Sequence, residues 1–161
     1  MLTLLATVTS IALPGGPPVS MDYLAYDAAN DRVWIPAGNT GNVDVYDVKT
    51  QKLLTVSGFE TAKVKGRDGN ERTVGPSSAS AGDGVVYVGN RAGNQICEVD
   101  AVALTKKRCI ALDSSPDGTA YVAATKEIWV TTPRTDSITI LDTKDFKVVG
   151  SIKVDSPEGY A

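Results

Sequence analysis

Histidine is absent from the 161 residues of this chain. That removes the commonest general base, the commonest metal ligand and every His-dependent triad from these residues. Blocks of like charge are missing too, since 16 Lys and Arg are scattered among 19 Asp and Glu. The net charge of -3 and a pI near 4.9 would repel phosphate backbones and anionic lipid, so nucleic acid is not an expected partner. No apolar run reaches the roughly 18 to 20 residues that a membrane-spanning helix requires, and no span is expected. There is no Cys-x-x-Cys, no haem-attachment motif, no Walker loop and no dinucleotide fingerprint. What remains, 42% hydrophobic and 22% charged, suits an ordinary globular domain with a core of its own.

Three stretches of this remainder align. They are Arg32-Val-Trp-Ile-Pro-Ala with Asn42-Val-Asp-Val-Tyr-Asp47, Val85-Val-Tyr-Val-Gly-Asn with Gln95-Ile-Cys-Glu-Val-Asp100, and Glu127-Ile-Trp-Val-Thr-Thr with Ser137-Ile-Thr-Ile-Leu-Asp142. Trp34, Tyr87 and Trp129 are spaced 53 and then 42 residues apart, and Asp47, Asp100 and Asp142 repeat both intervals. Period-two alternation, broken by turns at 38–42, 91–94 and 133–136, calls for strands and no helices. Several short strands per unit of about 40 to 45 residues point to the blades of a β-propeller, because one small sheet cannot bury both faces without stacked neighbours. The expectation is an all-β propeller of four-stranded antiparallel blades, with blades at 19–56, 76–112 and 115–154 and an inserted loop at 57–75.

Val86-Tyr87-Val88-Gly89-Asn90, followed by a strand ending in Val-Asp, resembles the YVTN-type β-propeller repeat of bacterial secreted and surface-layer proteins. The likeness extends over nearly the whole chain. The other two blades depart from it at Ile35-Pro36-Ala37 and Val130-Thr131-Thr132, so no role for the motif's Asn carries over. The resemblance implies a fold, a periplasmic or cell-surface setting and a usual total of seven blades, but no single activity. Ser156-Pro-Glu-Gly-Tyr-Ala161 repeats Ser115-Pro-Asp-Gly-Thr-Ala120 and reads as the start of a next blade. Residues 2–13 lack the basic leader of a signal peptide and read as the outer strand that closes a ring. About three full blades and the edges of two more are therefore expected, with self-association through open blade faces as one way to cover them.

One end of such a blade stack carries the entries to the inner strands and the turns between second and third strands. Aligning those entries places Asp22, Asp117 and Glu158 at equivalent positions, with Ser77 or Ser78 at the second blade. Converging carboxylates of this kind suit Ca²⁺ or Mg²⁺, and each also suits a tight turn beside Pro and Gly. Arg91 and Arg134 lie in the adjacent turns with Asn39, Asn42, Asn90, Asn94 and Asp136, where turn formation is the commoner role. The insertion brings Lys63, Lys65, Arg67, Asp68, Glu71 and Arg72 to the same end, as a hairpin or as a solvated loop. Pairing Asp100 with Lys106 makes opposed residues sum to 206, which also sets Cys97 against Cys109. They form either a cross-strand disulfide, which would suit an oxidising compartment, or two packed thiols.

These residues suit a non-catalytic binding or structural module, taking a protein, a polymer or a small polar ligand at Asp22, Ser77, Arg91, Asp117, Arg134 and Glu158. The alternative is a metal-dependent hydrolase resembling propeller lactonases, with a divalent ion on Asp22, Asp117 and Glu158.

Overall fold

Period-two alternation interrupted by Asp, Asn and Gly turns dictates hairpins, and the computed structural model of the chain consists of them throughout. It describes residues 8–66 and 68–155. The first blade is a meander of β1 (Ala25–Asp27), β2 (Arg32–Ala37), β3 (Asn42–Asp47) and β4 (Lys52–Val56). A separate two-stranded hairpin follows, β5 (Ala62–Lys65) with β6 (Glu71–Val74). The middle blade comprises β7 (Pro76–Gly82), β8 (Val85–Asn90), β9 (Gln95–Asp100) and β10 (Thr105–Ala111), and the last blade β11 (Thr119–Val122), β12 (Glu127–Thr132), β13 (Ser137–Asp142) and β14 (Lys147–Lys153). Short 3-10 turns at Gly38–Thr40 and Pro133–Thr135 join the second and third strands of the outer two blades.

The aspartate that marks each repeat builds a turn. Asp47, Asp100 and Asp142 close their third strands by accepting backbone N–H groups three residues on, from Thr50 at 2.8 Å, Ala103 at 2.9 Å and Asp145 at 2.7 Å. Beyond each, one residue passes through left-handed backbone: Gln51, Leu104 and Phe146 have φ of 55°, 56° and 49°. The bonded aspartates help hold that costly conformation. The Ala103 N–H, then the Lys107 ammonium and the Val102 N–H, lower the Asp100 carboxyl to about 2.

Side-chain alternation sends one set of each blade's residues to each neighbour. Trp34, Val43 and Val45 of the first blade meet Val86, Val88, Cys97 and Val99 of the middle one. On the opposite face of the middle blade, Tyr87 and Ile96 meet Ile128, Val130 and Leu141. The two outward faces of the stack remain half-open. Val33, Ile35 and Tyr46 are only partly buried at one end, and Trp129, Ile138 and Ile140 at the other. Asp44 lies on the first of these faces, beside Ile35 and Thr55 in the ladder. Its Oδ1 accepts from the Thr55 hydroxyl at 2.9 Å, and burial pushes its carboxyl above the usual range.

Some expectations change here. Residues 8–13, the described part of the anticipated ring-closing strand at 2–13, are not in a strand. The segment 156–161, read as the start of a further blade, lies outside the described residues. Asp100 pairs with Thr105 rather than Lys106, because β10 carries a bulge between Lys106 and Cys109. Past the bulge the register returns to Cys97 opposite Cys109, and the two form a disulfide with Cα atoms 4.0 Å apart. The extra residue re-aims its neighbours, as bulges do. Lys107 turns to Asp100 at 2.9 Å, and Arg108 grips Glu98 with two nitrogens, Nη2 lying 3.0 Å from Oε1.

Candidate functional site

The strand entries and the turns between second and third strands do gather at one end of the stack. Backbone bonds fix them: Gly38 N–H donates to Ser20 O at 2.8 Å, Arg91 N–H to Gly75 O at 2.9 Å and Asp117 N–H to Thr131 O at 2.9 Å. Asn39 spans the first entry by accepting from Ser20 N–H and donating to Pro18 O, each at 2.8 Å. Tyr23 runs alongside the middle blade's inner strand, donating to Ser77 O at 3.0 Å and accepting from Ala79 N–H at 3.1 Å. Glycine is required where these segments cross. A Cβ on Gly75 would run into the Gly38 carbonyl, and one on Gly89 into Ser78 Oγ and Thr119 Oγ1, which bond each other at 2.8 Å across the blades.

Asp22, Arg91 and Asp117 are brought together. Arg91, on the middle blade, donates to Asp22 Oδ2 of the first blade's entry at 2.7 Å and to Asp117 of the last blade's entry. The two acids thus converge on a guanidinium that lies between them. Ser77 is buried, its hydroxyl reaching Gly89 O at 3.5 Å. Arg134 stands exposed at the 3-10 turn of the last blade. Glu158 lies outside the described residues, and among those described no group of three His, Cys, Asp or Glu is placed to hold a metal ion.

The insertion supplies the missing wall. Its tip is a tight turn in which Asp68 accepts from Asn70 through backbone and side chain at 3.0 and 2.8 Å, and Gly69 takes φ of 80°. Asn70's amide, together with the nearby Arg72 charge, lowers the Asp68 carboxyl. Pairing of Ala62 with Val74 and Val64 with Arg72 puts these four on one face of the hairpin. That face fronts a groove of about 740 Å³ whose other wall is Arg91, Ala92 and Asn94 of the middle blade with Ser115–Asp117, Pro133 and Arg134 of the last. A smaller recess of about 350 Å³, reaching Ser20, Asp22, Asn39 and Ser77, adjoins it at Arg72, Val74 and Arg91.

The larger groove is lined by Lys65, Arg72, Arg91 and Arg134 against only Asp68 and Asp117, on a chain whose net charge is -3. Sequence reasoning nominated Arg91 and Arg134 and brought Arg72 to the same end with the other charges of the insertion, but did not single it out from them and gave Val64 no role. The alternation Ala62-Lys-Val-Lys65 facing Glu71-Arg-Thr-Val74 carried that signal, since a hairpin register puts one basic residue on an otherwise apolar face.

Solved structures share the stack of four-stranded blades. Kuenenia stuttgartiensis hydrazine synthase superposes with a TM-score of 0.69 at 17% identity, over 92% of this chain and 43% of that one. The fold is a β-propeller. Streptogramin B lyase gives 0.65 at 12% identity over 90% of this chain and 44% of that one, and a chain of the mitotic checkpoint complex 0.64 at 12% over 95% and 48%. This chain spans less than half the length of each of these three. At such identities the likeness is one of fold. No family model and no curated protein matches the sequence. Among the described residues no helix is long and apolar enough to cross a membrane.

Proposed function

We propose that this chain is a non-catalytic recognition module of a YVTN-type propeller, working at a bacterial cell surface or in the periplasm, and that it binds on the end bearing the β5–β6 hairpin. The observation that carries the reading is the groove itself. It is large, walled by an insertion that the repeat does not need, and floored by apolar groups with cationic side chains around them. The Val86–Asn90 motif supports the repeat type, and the Cys97–Cys109 bond supports an oxidising compartment.

A divalent ion at this mouth would need Asp22 and Asp117 to leave Arg91 and adopt a shared ligand sphere of oxygen donors. Selection of a random decapeptide library on the intact chain tests the recognition reading. Peptides are expected to be enriched and then lost on Val64→Arg, which fills the groove; no enrichment overturns it. A saturable calcium isotherm abolished by Asp117→Asn would instead favour metal-dependent chemistry.

A further inference from the structure

The groove's walls differ in kind from its rim, and that difference speaks to the ligand. Ala62, Val64 and Val74 on the hairpin, with Pro116 and Pro133 opposite, form an apolar floor. Two cations stand beside it without a hydrogen bond or ion pair of their own among the described residues: Arg72 on the groove face of the hairpin and Arg134 on the last blade. A third, Arg91, is already held by Asp22 and Asp117. Asp68, the remaining acid of the lining, is committed to its own turn through Asn70. The open cations therefore sit on both walls, with an apolar strip between them. A free small anion would satisfy the charges and leave that strip uncovered. The four-residue wall of β5 is about 13 Å long at the usual strand rise, which matches an extended segment of about four residues.

We infer that the groove is a docking site for an acidic peptide segment, its carboxylates meeting Arg134 and Arg72 and an intervening apolar side chain resting on Val64, Val74, Pro116 and Pro133. The inference rests on the recognition reading and adds the chemistry of the partner. Charge-assisted Arg–carboxylate bonds supply specificity, and the exposed rim makes association depend on salt.

The test is the composition of decapeptides selected on the full chain, followed by fluorescence anisotropy of the best labelled peptide. Enrichment in Asp and Glu flanking an apolar residue is expected, with roughly tenfold weaker binding on Arg134→Glu or Arg72→Glu, for a loss of about 1.4 kcal/mol each. Thermal midpoints of both variants should stay close to that of the parent, since the two side chains are exposed and make no hydrogen bond or ion pair among the described residues. Raising the salt should weaken binding, while glutarate at matched carboxylate concentration should fail to displace the peptide. Selected peptides that are neutral or basic, yet lost on Val64→Arg, overturn the acidic partner and leave the recognition module standing. Full displacement by glutarate overturns the peptide in favour of a free dicarboxylate. Unchanged affinity in Arg134→Glu and Arg72→Glu together overturns the site, and no enriched peptide of any class overturns both readings.

Discussion

Between the first and middle blades the seam packs aliphatic side chains around Trp34 and Phe59 with cations crossing its edge, whereas between the middle and last blades it stacks tyrosines and is rimmed by ion pairs. The first seam packs Val43, Val45, Val86, Val88 and Val99 around Trp34, whose indole N–H finds no acceptor among the described residues. Trp129, at the equivalent position on the open face, donates to Glu127 at 3.0 Å. In the second seam Tyr87 stacks on Tyr121 at 5.7 Å between ring centroids. The Tyr121 hydroxyl donates to Asp83 at 2.6 Å, Lys126 joins the same carboxylate, and Arg108, bound to Glu98, lies 4.7 Å from the Phe146 ring centroid. Both add directional contacts to close fit: Arg32 donates to the Ala101 carbonyl at 2.6 Å across the first seam, where the Lys106 ammonium lies 5.2 Å from the Phe59 ring centroid, while the second centres its contacts on carboxylates. One repeat thus supports both solutions, because the strand ladder fixes which positions face a neighbour and leaves their chemistry free.

The largest effect should come from emptying the first seam. Trp34→Ala should cost about 3–5 kcal/mol in denaturant unfolding, as truncation of a fully buried aromatic does; a cost below 1 kcal/mol would show that the neighbours collapse into the space. A smaller effect belongs to the aromatic seam. A methyl on Gly82 would overlap the Tyr121 ring, so Gly82→Ala should cost about 1–3 kcal/mol. In a Tyr121→Ala background the same change should cost far less, and an unchanged cost would place the strain elsewhere.

The smallest effect separates the seams by pH. Burial, with help from the Glu98 charge, pushes the Tyr87 hydroxyl up to about 12 from 10.0. Its folded value exceeds its unfolded one, so its contribution is complete below about pH 10 and lost as pH rises toward 12. Asp83 has the opposite sign, being lowered by Lys126 and Tyr121. Its contribution is complete above the ordinary carboxylate range and lost as pH falls through its depressed value. Thermal midpoints should therefore drop at both extremes, the alkaline drop shrinking in Tyr87→Phe and the acid one in Asp83→Asn. An alkaline drop unchanged by Tyr87→Phe would break the assignment.

The blades were legible because period-two alternation and the turn-building aspartates are local properties, repeated three times in register. The cysteine pairing came out right on a register that was one residue off near the turn. The bulge at 107–108 restores it, and no residue pattern announces a bulge. Asp22 and Asp117 were rightly gathered at one end, but the guanidinium between them was not foreseen, since its reach depends on how three blades rotate against one another. The hairpin face was half-legible: its charges were noted, while the side on which Arg72 falls needed the pairing of Val64 with it. The outward faces could be anticipated only as faces, because what covers them is not set by the strands that form them.

The unequal intervals between repeats carry a last consequence. Trp34 to Tyr87 spans 53 residues and Tyr87 to Trp129 only 42, yet all three blades are the same four-stranded meander. Spacing along the chain is thus decoupled from spacing in space, because blade stacking, rather than linker length, sets the geometry. Added length emerges at one end, as the β5–β6 hairpin, where it costs the seams little. The molecule can therefore acquire or revise a binding wall as a modular event, without renegotiating the core that holds it.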